Sequence, residues 1–168
     1  MTDQVQKSPR DQAGRNGRKF LVIVDESPEC GLALRFASRR AARTGGRVTL
    51  LYVLPPTDFQ HWMAVGELMR EEALLEADEL LGRLVGEVTE VLGFEPEMVI
   101  KEGPTKDRIL SLIASDPDIG VLVLGAGASP EGPGPLVNSF AGQLAGTLPI
   151  PVTVVPGNLT IERIDELT

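Results

Sequence analysis

Aromatic residues make up only 4% of this 168-residue chain, so its interior cannot be organised around stacked rings. The apolar content is nevertheless ordinary at 42%, and it is aliphatic: Val, Leu, Ile and Ala. Such residues suit a parallel sheet covered on both faces, whose strands read as near-continuous branched runs. There is one cysteine, Cys30, so no intramolecular disulfide can form and nothing points to an oxidising compartment. Histidine and tryptophan also occur once each, as His61 and Trp62, which leaves a thin inventory for acid–base or nucleophilic chemistry. No apolar run approaches the ~20 residues that cross a bilayer. Cations are the minority charge: 16 Lys+Arg stand against 24 Asp+Glu, a net charge of −8. That balance argues against a duplex-binding surface, which needs clustered Lys and Arg to neutralise phosphates. Neither a nucleic acid nor a membrane is expected as partner, and the expected location is the cytoplasm.

What is present is alternation. Residues 1–18 are polar, carry Lys7, Arg10, Arg15 and Arg18, and lack an apolar segment. They read as a disordered basic arm and not as a signal peptide. From residue 20 the chain switches between apolar β-branched runs and amphipathic stretches. Residues 20–24 (FLVIV) form strand 1, followed by Asp25 and by Ser27-Pro28, an N-cap with proline in the first helical position. Helix 1 runs to about Arg43, with Leu32, Ala33, Phe36, Ala37 and Ala41 inward and Arg35, Arg39 and Arg43 toward water. Thr44-Gly45-Gly46 stops it.

Residues 48–53 (VTLLYV) are strand 2, and a loop at 54–62 holds His61 and Trp62. Helix 2 spans about 65–92, with Leu68, Leu75, Leu81, Leu84, Val88 and Val91 read as its inner side. Strand 3 is 98–101, helix 3 is 105–115, and strand 4 is 119–124 (IGVLVL). A loop rich in glycine and proline, 125–137, leads into helix 4 at 138–148, and strand 5 is 152–155. The tail, 157–168, carries one short helix from Thr160. Five strands joined by helical crossovers make an α/β domain over 19–156: a doubly wound five-stranded parallel sheet with helices on both faces. Strand 5, with Val152, Val154 and Val155, is expected at an edge, where a second copy of the chain or the tail would cover it.

In such sheets ligands lie beyond the carboxyl ends of the strands, where the strand order reverses. Three segments converge there: 25–27, 53–56 and 125–139. The opening FLVIVDESPE (20–29), the turn Glu102-Gly103-Pro104, the strand ending VLVLGAGA (121–128) and NSFAGQLAGTLPIPVTVVP (138–156) together resemble the universal stress proteins. The resemblance covers residues 19–156. It implies the strand order 3-2-1-4-5 of the adenine nucleotide alpha-hydrolase-like fold, a homodimer through edge strand 5, and ATP or another adenine nucleotide at the switch point. It also implies a regulatory role in stress response with an unidentified protein partner, and at most slow ATP hydrolysis.

Nucleotide-binding members of that family carry a glycine, two residues, a second glycine, nine residues, then Gly-Ser or Gly-Thr. The matching positions here are Gly125, Ala128 and Asn138-Ser139. The pattern suits phosphate because glycines let backbone amides approach it and a helix N-terminus completes the cradle. Ser139 keeps the hydroxyl, Asn138 is a good N-cap and tolerates left-handed angles, and Ala128 would cost roughly 1 kcal/mol if its φ were positive. Gly127, Gly132 and Gly134 offer another way to shape the loop. From 125 to 148 there is no Lys or Arg, and Glu131 adds a negative charge, so phosphates would rest on amides, with Mg²⁺ as escort. By the same resemblance Asp25 lies beside the adenosine, Val53 offers backbone contacts to the adenine, Leu124 lies beneath it, and Phe140 follows Ser139 at the site. Without the resemblance, Asp25 caps the turn and Val53 and Leu124 are core.

Other chemistries fare worse. There is no G-x-S-x-G elbow, no G-x-x-x-x-G-K loop, and no G-x-G-x-x-G after strand 1. No metal or catalytic residue is expected. Cys30 falls in the first turn of helix 1, where a nucleophilic role competes with the commoner fate of a small buried hydrophobe. His61 and Trp62 would stack on a ligand, close a lid, or pack at a subunit contact or over helix 2. The rival to a nucleotide-binding protein is a dimeric interaction module whose crevice is degenerate.

Overall fold

The structure, a computed structural model, describes residues 17–56 and 63–168. The basic arm to residue 16 and the pair His61 and Trp62 lie outside these residues. Five strands, β1 (Lys19–Ile23), β2 (Arg47–Leu54), β3 (Glu97–Glu102), β4 (Ile119–Ala126) and β5 (Val152–Pro156), form one sheet. Its order is β3-β2-β1-β4-β5, and every pairing is parallel. The central strand β1 sets Val22 beside Leu50 on one side and Val123 on the other, so the middle of the sheet is a sheath of aliphatic side chains.

Two apolar layers cover it. On one face, helices α1 (Pro28–Thr44) and α2 (Met63–Leu92) pack Ala33, Leu34, Ala37, Leu81 and Val88 against Val22, Val48 and Leu50. On the other, α3 (Thr105–Ser115) and a fourth helical segment pack Ile109, Ile113 and Phe140 against Leu21, Leu51 and Leu122. That segment is α4 (Pro135–Val137), which continues as a π-helical stretch (Asn138–Gln143). A last helix, α5 (Ile161–Leu167), follows β5, capped by the Thr160 hydroxyl, which accepts a hydrogen bond from the Arg163 amide at 3.1 Å. Among the described residues no helix is long and apolar enough to cross a membrane.

Three sequence expectations need correcting. Leu68 and Leu75 are not on the inner side of α2; with Val65 and Met69 they form an apolar stripe more than half exposed. The buried line of this helix descends through Ala77, Leu81, Leu84 and Val88. Continued upward at helical spacing it meets Ala73, Arg70 and Gly66, which are too small or too polar to extend the core. Arg35 and Arg39 do not face open water either. Arg35 grips Asp165 with two hydrogen bonds of 2.7 and 2.8 Å, and Arg39 donates to the Thr168 hydroxyl at 2.8 Å. Helix α5 is therefore fastened to α1, with Ile164 fully buried beneath it. The third correction concerns where α4 begins, and it bears on the site.

Candidate functional site

At the carboxyl ends of β1 and β4 the backbone parts, and a crevice of about 130 Å³ opens there. Its floor is apolar: Ile23 from β1 and Leu124, only 2% exposed, from β4. Asp25, Ser27, Glu29 and Cys30 form the wall on the α1 side, and residues 133–137 form the opposite wall.

The Asp25 wall is shaped by local hydrogen bonding. Asp25 Oδ1 accepts from the Ser27 amide at 2.8 Å, a turn closed by a carboxylate, and this delivers Pro28 to the first position of α1. Ser27 takes the cap position but its hydroxyl makes no capping bond, so the hydroxyl stays available to the crevice. Glu29, in the first turn of α1, leans across to β4. A side chain added at Gly125 would put its Cβ 2.7 Å from the Glu29 carbonyl oxygen, so only glycine permits this approach. A Cβ at Gly127 would stand 3.5 Å from Glu29 Oε1, which places the carboxylate against the glycine loop. Burial pushes the Cys30 thiol up to about 11, outweighing the hydrogen bond with the Asp25 backbone that favours the thiolate. That shift favours the protonated thiol at neutral pH, in keeping with a small buried wall residue.

On the opposite wall the helix starts earlier than the sequence suggests. Gly134 is the cap residue, with φ 102°, and Pro135 occupies the first helical position. The Asn138 amide donates to the Gly134 carbonyl at 3.1 Å, so Asn138 lies inside the helix and does not cap it. The amides left without an intrahelical acceptor are those of Leu136 and Val137, and both residues line the crevice. The signal was Gly-Pro at 134–135, the pairing of a flexible cap with proline at the first helical position.

The loop between β4 and α4 is partly closed on itself. The Gly127 amide donates to the Pro133 carbonyl and the Gly132 amide to the Ser129 carbonyl, each at 3.1 Å. Two of the amides that a phosphate cradle would use are thus already engaged. Of the residues singled out in the sequence, Asp25, Leu124 and Gly125 come together in the crevice. Val53 is half-buried in the layer beneath α3, and Ala128 and Asn138 are exposed outside the walls. Ser139 is half-buried outside the walls, its carbonyl accepting from the Leu144 amide in the π-helical stretch, and Phe140 is fully buried core. Ser27 and the 133–137 wall fall within the segments 25–27 and 125–139 that the sequence brings to the switch point, whereas Ile23 and Glu29 carry no sequence signal for the site.

The sequence model of the universal stress protein family matches residues 17–156. The chain belongs to the universal stress protein family. Solved universal stress proteins share its fold. The UspA of Lactobacillus plantarum is 23% identical, with 82% of this chain and 97% of that one covered and a TM-score of 0.68. A universal stress protein from Archaeoglobus fulgidus, solved in complex with dAMP, is 22% identical over 83% of this chain and 98% of its own, with a TM-score of 0.59. One from Arabidopsis thaliana with AMP bound is 20% identical over 83% and 91%, with a TM-score of 0.56. No curated protein shows significant similarity to the chain.

Electrostatically the crevice of this universal stress protein is acidic. Its walls contain two carboxylates, Asp25 and Glu29, and no Lys or Arg. Among the described residues neither carboxylate has an ion-pair partner, and no cluster of three His, Cys, Asp or Glu is placed to hold a metal ion.

Proposed function

We propose that this universal stress protein is a regulatory protein that binds the adenosine portion of an adenine nucleotide between β1 and β4. The observation that carries the reading is the composition of the crevice. Apolar Ile23 and Leu124 offer a surface to a base, and the Asp25 carboxylate and Ser27 hydroxyl offer hydrogen-bond partners to ribose. Leu136 and Val137, whose amides have no intrahelical acceptor, line the same space. Support also comes from fold neighbours solved with dAMP and AMP. A hollow of about 130 Å³ encloses roughly one ring, since a 150 Å³ protein cavity takes up benzene. The rest of a nucleoside would lie along the open rim. ATP with Mg²⁺ is the ligand suggested by the sequence; its triphosphate would extend from the same open rim, and the adenosine portion is what the hollow itself accommodates.

Titration calorimetry with adenosine and AMP tests this. Heat is expected with the unaltered protein and none after Ser27→Trp, which fills the hollow from its rim. Equal heats from both proteins would place any binding elsewhere.

The reading includes a homodimer through β5. This strand pairs only with β4, leaving its other edge open, and the tail that might have covered it is fastened to α1 by Arg35 and Arg39. Half-buried Val152 and Val154 would be shielded by a second copy. Sedimentation at micromolar concentration should return twice the chain mass, and a concentration-independent monomer would contradict it.

A second reading, an interaction module without a nucleotide, has its own observation. The exposed stripe Val65, Leu68, Met69 and Leu75 on α2 is the kind of apolar surface that partner proteins cover. The absence of any heat with adenosine, AMP or ATP would favour it.

A further inference from the structure

We infer that Glu29 sets the ligand class of this crevice, selecting adenosine and its monophosphate against the polyphosphates. The inference rests on the adenosine reading above and concerns which members of that ligand class the site accepts.

Phosphate held at a glycine loop needs amides aimed at its oxygens or a cation beside them. Here the loop offers no cation, and part of its backbone is already engaged. The Gly127 and Gly132 amides are engaged by the carbonyls of Pro133 and Ser129. The sequence from 125 to 148 contributes no Lys or Arg. In the cation's place stands the Glu29 carboxylate, with Oε1 3.5 Å from where a Gly127 side chain would begin. Glu29 is half-buried, and its stem runs close beside two glycines: a Cβ added at Gly125 would stand 3.0 Å from its Cγ, and one at Gly157 would stand 3.2 Å from its Cβ. Asp25 adds a second negative charge to the same wall. Asp25 is exposed and Glu29 half-buried, and like charges beside a half-buried group repel by more than they would in bulk water. Each added phosphate therefore weakens binding, the reverse of a phosphate cradle, in which each added phosphate strengthens it.

The test is the rank order of adenosine, AMP, ADP and ATP by calorimetry, each with Mg²⁺ and with EDTA, on the unaltered protein, Glu29→Gln and Glu131→Gln. Glu131 is exposed on the same loop outside the crevice walls, so it reports the effect of net charge alone. The expected result is affinity falling from AMP to ATP by about tenfold or more in the unaltered protein and in E131Q. In E29Q the gap should close, through tighter ATP binding. ATP binding at least as tight as AMP in the unaltered protein would overturn the inference and leave the adenosine reading standing. ATP binding that requires Mg²⁺ and is lost in E29Q would also overturn it, since Glu29 would then hold a cation. If none of the four ligands binds any of the three proteins, the adenosine reading fails and this inference with it.

Discussion

At the amino ends of its strands the sheet is closed by paired charges, whereas at the carboxyl ends of β1 and β4 two carboxylates stand without a cation. Lys19, which opens β1, is only 8% exposed and holds Asp116 at 2.6 Å and Glu97 at 2.7 Å. Nearby, Arg47 at the start of β2 pairs with Asp118 at 3.1 Å. Burial alone would pull the Lys19 ammonium down, but its hydrogen bonds to Asp116 and Glu97 outweigh burial and hold it above its ordinary value. Burial would likewise raise Asp116, and the bonds from Lys19 and the Asp118 amide reverse that and hold it below. The opposite end has no such compensation around Asp25 and Glu29. One end is arranged for stability; the other keeps an uncompensated charge where a ligand would enter, as sites of function commonly do.

Substitutions at the two ends should therefore separate, and the layer between them should be most sensitive of all. Phe140→Ala empties a fully buried ring site in the apolar layer on the α3 face of the sheet and should cost about 3–5 kcal/mol in urea unfolding. A cost below about 1 kcal/mol would mean that the ring faces the ligand and not the core. Lys19→Met should cost about 1–3 kcal/mol, with little of it from the Glu97 contact because that carboxylate is half exposed. Much of the loss comes from leaving Asp116 without its partner.

The pH dependence sharpens the same contrast. Asp116 lies below 3.8 in the fold, so its contribution is present above that value and fades as pH falls through the folded value. Lys19 lies above 10.5, so its contribution is present below that value and fades as pH rises through the folded one. The stability difference between the unaltered protein and Lys19→Met should thus stay level from about pH 5 to 9 and shrink below about pH 3.8. A difference that changes across neutral pH would count against the Lys19–Asp116 pairing. Smallest is the stability effect of Glu29→Gln, a loss of at most about 1 kcal/mol from removing a negative charge at the N-terminus of α1. A loss of several kcal/mol would show Glu29 to be a structural anchor.

The sheet was legible because its strands are short apolar runs, each bounded by a turn or helix signal, and their order came with the family resemblance. Helix 2 was legible in extent but not in phase. Its leucines occupy two faces, and only the packing of Ala77, Leu81, Leu84 and Val88 against α1 and the sheet decides which face is buried. Half of the crevice was legible too, since Asp25, Leu124 and Gly125 follow directly from strand ends. The other half was not. Matching Asn138-Ser139 to the family pattern drew the helix start three residues too late, past the Gly134-Pro135 signal that governs it. Glu29 escaped notice because its role depends on a long-range approach, α1 against β4 through Gly125, and no local pattern encodes that contact.

The most direct test of the account maps the ligand onto the backbone: amide chemical shifts recorded by NMR as AMP is added. The account predicts that the amides of Gly125, Ser27, Leu136 and Val137 move together and saturably, while those around Lys19 and Asp116 stay still. Shifts gathered instead at Ala128, Asn138 and Ser139, or along the apolar stripe of α2, would contradict it.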